Sequence, residues 1–431
     1  MTPFLFTVVF LLALCASVGV RLWLSRRQIA FVSAHRDEVP PAFAERIGVS
    51  AHRKAADYTV AKQRLSMLHT LVDAALLLAM TLGGGLAAII GWTETLTLGP
   101  LWRDVVMFAA AGVIYGIVNL PFSWWHTFRI EERFGFNRMT LKLWLADLAK
   151  GLAVAVVLGL PLLVLILWLM RVAGTPWWLW TWGAWMVFQV LILVLYPTLI
   201  APLFNKFTPM GESPARQRVE ALLARCGFRS AGLFVMDGSK RSGHGNAYFT
   251  GFGKAKRIVF FDTLLARLAP DEIEAVLAHE LGHYKLKHVA KRIGWSALLS
   301  LVILGLLAFL AREPWFYAGL GIPDAMLQVA FARPGVALEL FLLALPVFTF
   351  MLEPLSALYS RRHEFEADAF ATRHASAVSR SVALVKLYED NAATLTPDPL
   401  HSAFYDSHPP AAIRIAHIEA LAGTGPLALA A

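Results

Sequence analysis

The chain has 431 residues, of which 57% are hydrophobic, and its mean hydropathy of +0.58 excludes an ordinary soluble protein. Its two cysteines, Cys15 and Cys226, are too few and too far apart for a disulfide framework or a cysteine metal cluster. A net charge of +9 could suggest nucleic acid, but in a membrane protein the position of the charges matters more. We therefore expect an integral membrane protein with no nucleic-acid partner.

Apolar runs long enough to cross a bilayer, which needs about 20 residues, recur along the chain. The first run is followed by Arg26 and Arg27. Because a secretory signal carries its positive charges ahead of the apolar run, we expect this run to be retained as a helix with its N-terminus outside. The sequence predicts seven spans: residues 3–24, 66–92, 104–127, 149–170, 177–200, 293–311 and 336–359.

Basic residues are concentrated on one side of the predicted spans. Residues 25–65 contain 8 Lys and Arg, and residues 201–292 contain 15. The connections on the opposite side contain only Arg103, Arg171, Arg312 and Arg333. The positive-inside rule therefore predicts that the two basic segments lie in the cytoplasm. The short loops favour a multi-pass protein of a bacterial inner (plasma) membrane.

Residues 201–292 form the longest predicted segment outside the membrane. Ser213 and Pro214 predict a helix start, since Ser is a good N-cap and Pro suits the first turn. Gly227 predicts that this helix ends at Cys226. Three short strand-like runs follow, ahead of another helix: residues 232–236, 246–252 and 257–261. A small unit of helices and strands is therefore expected.

The second helix of this segment contains the pattern His-Glu-x-x-His at His279, Glu280 and His283. Pro270 and the acidic residues after it predict the helix start, and positions four apart share one helix face. Two neutral imidazoles on one face can bind Zn²⁺, and the intervening Glu can take a proton from water. The pattern also arises by chance in about one chain in a hundred, so a packed or solvated histidine pair is the alternative. Gly282 inside the helix suggests a close approach by another group.

A catalytic zinc ion needs a third protein ligand and leaves its fourth position to water. After the seventh predicted span, Glu364 and Asp368 lie four residues apart on a predicted helix. Because two spans separate His283 from Glu364, both lie on the same side of the membrane. We assign Glu364 as the third ligand and Asp368 as the acceptor that orients a ligand imidazole. A solvated charged helix is the alternative, and Glu366 or His363 could compete as ligand on spacing alone.

Six segments spread over most of the chain follow the pattern of a known family: IEERFGFNRMT (130–140), LYPTLIAPLFNKFTP (195–209), KRSGHGNAYFTGFGKAKRIVFFDTLL (240–265), VLAHELGHYKLKH (276–288), SRRHEFEADAFA (360–371) and HPPAAIR (408–414). Together they resemble the type I, zinc-dependent CAAX prenyl proteases. The resemblance implies an α-helical integral membrane protein whose seven transmembrane helices enclose a water-filled chamber, with a small α+β zinc metalloprotease domain on the cytoplasmic side. It also implies one Zn²⁺ per chain on His279, His283 and Glu364, with Glu280 as general base.

The resemblance adds candidates that residue spacing does not supply. The strand around Asn246, Ala247 and Tyr248 is similar to the edge to which a substrate pairs its backbone. His408 is similar to the group that stabilises the tetrahedral oxyanion, with Arg414 nearby. From the residues alone, Asn246 could be a turn residue and the segment at His408 could merely end a loop.

Several charged or polar side chains lie within the predicted spans, where contact with lipid is unfavourable. They are His69, Asp73, Asn119, His126, Glu339 and Glu353. A water-filled interior would accommodate them, and hydrogen bonds between helices are the plainer alternative. Their roles are open at this stage.

These features predict a zinc-dependent membrane endopeptidase that, by resemblance, removes the C-terminal tripeptide of prenylated CAAX peptides. Its partners would be a peptide or lipidated peptide and membrane lipids, and we expect a monomer. A quality-control metalloprotease of broad specificity is the alternative enzyme, and a non-catalytic scaffold stabilised by zinc is the alternative from another class. We expect residues 1–200 to form a membrane domain of five helices and residues 201–431 a metallopeptidase domain that includes spans six and seven.

Overall fold

Long helices make up most of the first 200 residues. A computed structural model of the chain describes residues 1–250 and 257–423. Its first helix is capped by Thr2, whose hydroxyl accepts a hydrogen bond from the backbone of Leu5 at 3.2 Å. The helices of this part are α1 (Pro3–Ala34), α2 (Val49–Met80), α3 (Gly85–Glu94), α4 (Pro100–Trp125), α5 (Leu141–Val172) and α6 (Trp177–Leu195). Two π-helical segments, His126–Glu131 and Tyr196–Ile200, continue α4 and α6.

The seven predicted spans are confirmed, with one difference in shape. Six helices of the described chain are long and apolar enough to cross a membrane, and α2 with α3, a pair bent by 46°, forms the second span in chain order and brings the number to seven. At the break, Gly84 has a left-handed conformation (φ 77°), and a Cβ on Gly83 would lie 2.8 Å from the carbonyl oxygen of Ala79. The single apolar run predicted at residues 66–92 missed this break, because hydropathy averages over the glycines that cause it.

Four short strands form one sheet after the fifth span. They are β1 (Phe207–Pro209), β2 (Leu233–Met236), β3 (Ala247–Thr250) and β4 (Arg257–Phe261), in the order β1-β2-β4-β3. β2 and β4 are parallel, and the outer strands pair antiparallel to them, so β3 lies at an edge. The sequence predicts three of these strands, because β1 has only three residues and ends at Pro209. Residues 251–252 of the predicted second strand lie outside the described residues.

The same segment also contains helices, several of which share a hydrophobic core with the sheet. The helices are α7 (Ala201–Phe204), α8 (Pro214–Arg225), α9 (Asp262–Leu265) and α10 (Pro270–Lys285). As predicted, Ser213 caps α8, its hydroxyl accepting a hydrogen bond from the backbone of Arg216 at 3.2 Å, and Gly227 follows the helix end with φ 57°. Ile258 of the sheet and Leu277 of α10 are buried in the shared hydrophobic core. This core holds α10 against the sheet.

The remaining helices carry the last two spans and then return to the sheet. They are α11 (His288–Leu310), α12 (Pro314–Gly319), α13 (Leu327–Ala332), α14 (Pro334–Thr349), α15 (Glu353–His374), α16 (Ala377–Asp390), α17 (Pro399–Tyr405) and α18 (Ala411–Ala422). α14 and α15 continue one another through the 3₁₀ turn Phe350–Leu352 and form the seventh span. α15 therefore emerges from the membrane next to α10.

α10 and α15 pack against each other with a close approach at Gly282. A Cβ on Gly282 would lie 3.0 Å from Cα of Ala367 and 3.1 Å from Cβ of Phe370. Any side chain here would push the two helices apart, which accounts for a glycine in the interior of a helix. The close contact brings the motif face of α10 to the acidic residues of α15.

A segment after the third span, residues 130–140, holds the loop in front of β3. The backbone N–H of Gly243 donates to the carbonyl oxygen of Phe136 at 3.0 Å. The ring of His244 stacks on Phe136 with centroids 4.4 Å apart and lies 3.3 Å from the carboxylate of Glu131. We call residues 130–140 the brace segment, because it ties the edge strand to the membrane helices.

Polar residues of the spans contact other polar groups. The contacts are His69 with Asn119, His69 with Asp73 (3.4 Å), His126 with Glu131 (3.6 Å) and Glu353 with Arg21 (3.5 Å). Glu339 is buried on α14. Contacts within and between helices, the plainer of the two expectations, therefore account for five of the six residues.

Candidate metal centre

α10 and α15 bring ligand atoms of His279, His283 and Glu364 together. The Nε2 atoms of the two histidines are 3.2 Å apart. Nε2 of His279 lies 3.3 Å from Oε2 of Glu364, and Nε2 of His283 lies 3.2 Å from Oε1. His279 and Glu364 are buried, and His283 is half-buried. The residue chosen from sequence as third ligand thus lies beside the histidine pair.

The triangle of ligand atoms has the size that a zinc ion requires. Zinc binds nitrogen and oxygen at about 2.0–2.1 Å in a tetrahedron, which places its ligand atoms about 3.3 Å from one another. In the described part of the chain, Oε2 of Glu364 is buried and has no hydrogen-bond partner. A buried carboxylate oxygen without a hydrogen bond is unfavourable, and a bond to a metal ion would satisfy it. Two imidazoles and a carboxylate are also a ligand set that zinc accepts, so these residues fit the ion.

Asp368 lies fully buried behind His279. Its Oδ1 is 2.8 Å from Nδ1 of His279, so Nδ1–H donates and Nε2 keeps its lone pair for the centre. Arg414 donates to Asp368 through Nε and Nη2 at 2.8 Å each, and Arg380 donates through Nη2 at 2.9 Å. Sequence reasoning missed Arg380, because only the packing of α16 shows that it is buried here.

His408 and Arg414 reach the centre from the other side of Glu364. Nε2 of His408 is 3.4 Å from Oε1, and Nη1 of Arg414 is 3.4 Å from Oε2. Burial lowers the pKa of Arg414, but its hydrogen bonds to Asp368 and the negative charges of Asp368 and Glu364 together raise the pKa above its usual value, so the guanidinium stays charged. The His408 side chain is 60% exposed and can contact a molecule bound at the centre.

Glu280 occupies the position between the two histidines in the motif. It follows His279 and precedes His283 by three residues, which places it beside His283 on the helix surface. Its side chain is half-buried. A carboxylate at this position is within reach of water or a peptide that enters the centre.

Among the described residues, β3 pairs with another strand along one edge only. Its inner edge pairs with β4, and the carbonyl oxygen of Asn246 just before it accepts a hydrogen bond from the backbone of Phe261 at 3.0 Å. The side chain of Asn246 accepts from the backbone of Ala247 at 2.8 Å, a local bond typical of a turn residue. Tyr248 is half-buried, and burial raises its pKa to about 12, so its hydroxyl stays protonated at neutral pH.

Glu366 and His363, the competing candidates on spacing, lie in a separate group around His288. Nε2 of His288 is 3.0 Å from Oε2 of Glu366, and the rings of His288 and His363 stack with centroids 4.0 Å apart. Sequence reasoning did not single out His288. The group touches the centre through His283, whose Nδ1 is 2.9 Å from Nδ1 of His288.

Two family descriptions match nearly the whole chain. Residues 28–206 match "CAAX prenyl protease N-terminal, five membrane helices", and residues 212–422 match "Peptidase family M48". The first match begins near the end of α1 and continues past the end of the fifth span. The second covers all residues of the candidate centre.

Named relatives and a solved structure are similar over comparable lengths. "CAAX prenyl protease 1" of Saccharomyces cerevisiae is 36% identical over 312 residues, which are 70% of this chain and 69% of that protein. A homologue from Arabidopsis thaliana is 38% identical, with 70% of each chain covered. The crystal structure of S. mikatae Ste24p is 30% identical with a TM-score of 0.88, over 96% of this chain and 99% of that one. These relatives are eukaryotic and give no support to the expected bacterial host.

Proposed function

The chain belongs to the family of CAAX prenyl proteases, and on that premise we propose that it removes the C-terminal tripeptide from prenylated peptides ending in Cys-aliphatic-aliphatic-X. As a member of that family it is a multi-pass membrane metallopeptidase. The observation that carries the proposal is the triangle of ligand atoms with 3.2–3.3 Å sides beside the motif glutamate. Neither a structural metal site nor a solvated histidine pair needs a further carboxylate at that place.

We propose that one zinc ion per chain is held by His279, His283 and Glu364. When bound, zinc supplies Lewis-acid chemistry, which polarises a carbonyl and makes water a stronger acid. Glu280 accepts the proton of the attacking water and later gives it to the leaving amine. His408 donates a hydrogen bond to the oxygen that becomes negative in the transition state.

Arg414 assists at the same oxygen or at the C-terminal carboxylate of the substrate. Its charge is held in place by the two hydrogen bonds to Asp368, which leave Nη1 directed at Glu364. Asp368 in turn orients His279. The centre is complete within one chain, which supports a monomer.

The substrate peptide pairs its backbone with the outer edge of β3, at Asn246, Ala247 and Tyr248. An extended peptide has unpaired backbone N–H and C=O groups, and an edge strand has a matching row of unpaired C=O and N–H groups. Its lipid tail is held among the membrane helices. α5 buries only Leu167 among its described residues, so most of its surface faces lipid or the proposed chamber.

We propose that the centre faces the cytoplasm. Only four Lys and Arg residues lie in the connections of the opposite side, and three of them pair with acidic residues there: Arg103 lies 2.5 Å from Glu94, and Arg171 and Arg333 lie 2.6 and 2.8 Å from Asp104. The much larger number of Lys and Arg residues on the side of the metallopeptidase segment supports a cytoplasmic position under the positive-inside rule.

The test compares two peptides that differ only in the farnesyl group on the cysteine. Full-length protein in detergent is loaded with zinc, incubated with each peptide, and the products are identified by mass spectrometry. We expect release of the terminal tripeptide from the farnesylated peptide alone. The Glu280→Ala protein should bind zinc normally and show no turnover, since the proton acceptor is gone.

Other outcomes separate the alternatives. Equal cleavage of both peptides would favour a quality-control protease of broad specificity. Zinc binding without any cleavage would favour the scaffold and overturn the proposed activity. Turnover by Glu280→Ala would remove Glu280 from its role.

A further inference from the structure

His283 makes a hydrogen bond on the side of its ring that faces away from the metal centre. Its Nδ1 lies 2.9 Å from Nδ1 of His288, the first residue of α11. Nε2 of His288 lies 3.0 Å from Oε2 of Glu366, and His288 is buried. Three side chains thus form a continuous row of hydrogen bonds from a proposed ligand to a carboxylate.

The turn between α10 and α11 brings His288 to this place. Lys287 has φ 57° and ψ 34°, a left-handed conformation that residues with a side chain rarely adopt. This turn follows the end of α10 at Lys285 and brings His288 back into contact with His283. Surrounding contacts must hold such an unfavourable conformation, and the bond to His283 is one of them.

The positions of the protons in this row follow from the metal site. Nε2 of His283 points to the centre and must offer its lone pair there, so a neutral His283 carries its proton on Nδ1. The Nδ1–H of His283 donates a hydrogen bond to Nδ1 of His288, so His288 must carry its own proton on Nε2. The Nε2–H of His288 in turn donates a hydrogen bond to the carboxylate of Glu366.

We propose that His288 and Glu366 are positioning residues that set the tautomer and ring orientation of His283, an inference that rests on the proposed metal site. They do for His283 what Asp368 does for His279, but through an added imidazole. Both ligand histidines are thereby held with Nε2 toward the centre.

The same residues do not form a second metal site. The rings of His288 and His363 are stacked, with planes only 8° apart and centroids 4.0 Å apart, so their in-plane lone pairs run parallel and do not converge on one ion. Both nitrogens of His288 are used in the row. Arg362 at 3.1 Å and Lys291 at 3.8 Å from Glu366 also place positive charge where a cation would sit.

The test measures zinc affinity of full-length protein by competition with a chelator. In His288→Phe, the aromatic ring can still stack on His363 but cannot accept a hydrogen bond from His283. We therefore expect zinc to bind about 10–100-fold more weakly. Glu366→Gln keeps an acceptor oxygen for His288 and should stay within about threefold of the original protein, whereas Glu366→Ala should weaken zinc as His288→Phe does. His363→Phe is the matched control and should bind zinc normally.

A purely structural role would show differently. If the residues were only structural, the variants that lose zinc affinity would also unfold at lower temperature without zinc, in proportion to that loss. Glu366→Gln would then bind zinc as weakly as Glu366→Ala. If His288→Phe does not fold, the comparison of Glu366→Gln with Glu366→Ala decides alone. Unchanged zinc affinity in Glu366→Ala would overturn the proposal. A count of two bound zinc ions in the original protein and one in His288→Phe would also overturn it, because His288 would then be a ligand of a second zinc ion. A protein that binds no zinc at all would instead overturn the metal site itself.

Discussion

Asp368 is the buried charge on which several residues of the centre converge. It is fully buried between Arg380 and Arg414 and also accepts a hydrogen bond from Nδ1–H of His279. In Asp368→Asn, two buried guanidinium groups lose their counter-charge, and loss of a partner from a buried ion pair costs about 3–5 kcal/mol. We expect a lower unfolding temperature and zinc binding weakened by about 10-fold or more.

Thermal unfolding in detergent, with and without zinc, measures both effects of Asp368→Asn. The matched control is Asp37→Asn, which removes an exposed carboxylate that pairs with Arg53 at 2.5 Å. Because solvent screens such a pair, this variant should unfold like the original protein. Equal unfolding temperatures for the two variants would contradict the importance of the buried charge.

At this scale the sequence reveals residues that share a local pattern. His279, Glu280 and His283 are recognisable because a helix places positions four apart on one face. Arg380 and His288 carry no such pattern. Arg380 matters because α16 packs next to α15, and His288 because Lys287 takes a left-handed turn. Both depend on tertiary structure that periodicity does not encode.

The packing of α10 on α15 sets the distance between the histidine pair and Glu364. Gly282→Val would place side-chain atoms where the backbone of Ala367 now lies, at 3.0 Å from a Cβ. Overpacking of this kind costs about 1–3 kcal/mol and should separate Glu364 from the histidines. We expect weaker zinc binding and lower thermal stability.

The matched control for Gly282→Val is Gly294→Ala on α11, where a Cβ would meet no atom within 4 Å. Replacing glycine by alanine in an open helical position removes backbone entropy from the unfolded chain, so this variant should be as stable as the original or slightly more. Chelator competition and thermal unfolding check both variants. Normal zinc affinity in Gly282→Val would show that the helices can separate without harm to the centre.

The long helices could be predicted from the sequence, but not every short element could. Each span has an apolar length that hydropathy detects, and α8 has a cap and a stop that are visible in the residues at its ends. β1 was not predicted because its three residues are too few to show an alternation of apolar and polar side chains. The break between α2 and α3 was not predicted because the three glycines that form it lie within a continuous apolar run. They are Gly83, Gly84 and Gly85.

Contacts across the whole molecule tie the proposed domains, residues 1–200 and 201–431, to each other. Thr7 on α1 donates a hydrogen bond to the carbonyl oxygen of Gly319 at 2.8 Å. Arg27, near the other end of α1, pairs with the buried carboxylate of Asp398 at 2.8 Å. Together with the brace segment, these contacts indicate that neither proposed domain holds its native arrangement alone.

The orientation in the membrane can be tested with single cysteines. Cys15 and Cys226 are first replaced by Ser, and then Glu38→Cys and Arg312→Cys are made at exposed positions on opposite sides. In sealed vesicles with the cytoplasmic face outward, a membrane-impermeant maleimide should label position 38 and reach position 312 only after detergent is added. The reverse pattern would place the centre on the outer side.

The distribution of the centre along the chain also determines when the enzyme becomes active. Arg414 contacts His279 from 135 positions further along, and it lies beyond both spans that separate the motif from Glu364. While the ribosome is still making those segments, the nascent chain already carries the histidine pair but lacks the groups that complete it. With the proposed ligand set, we therefore expect hydrolysis to begin only after both spans and Arg414 have been made, so that unfinished copies leave neighbouring nascent proteins intact.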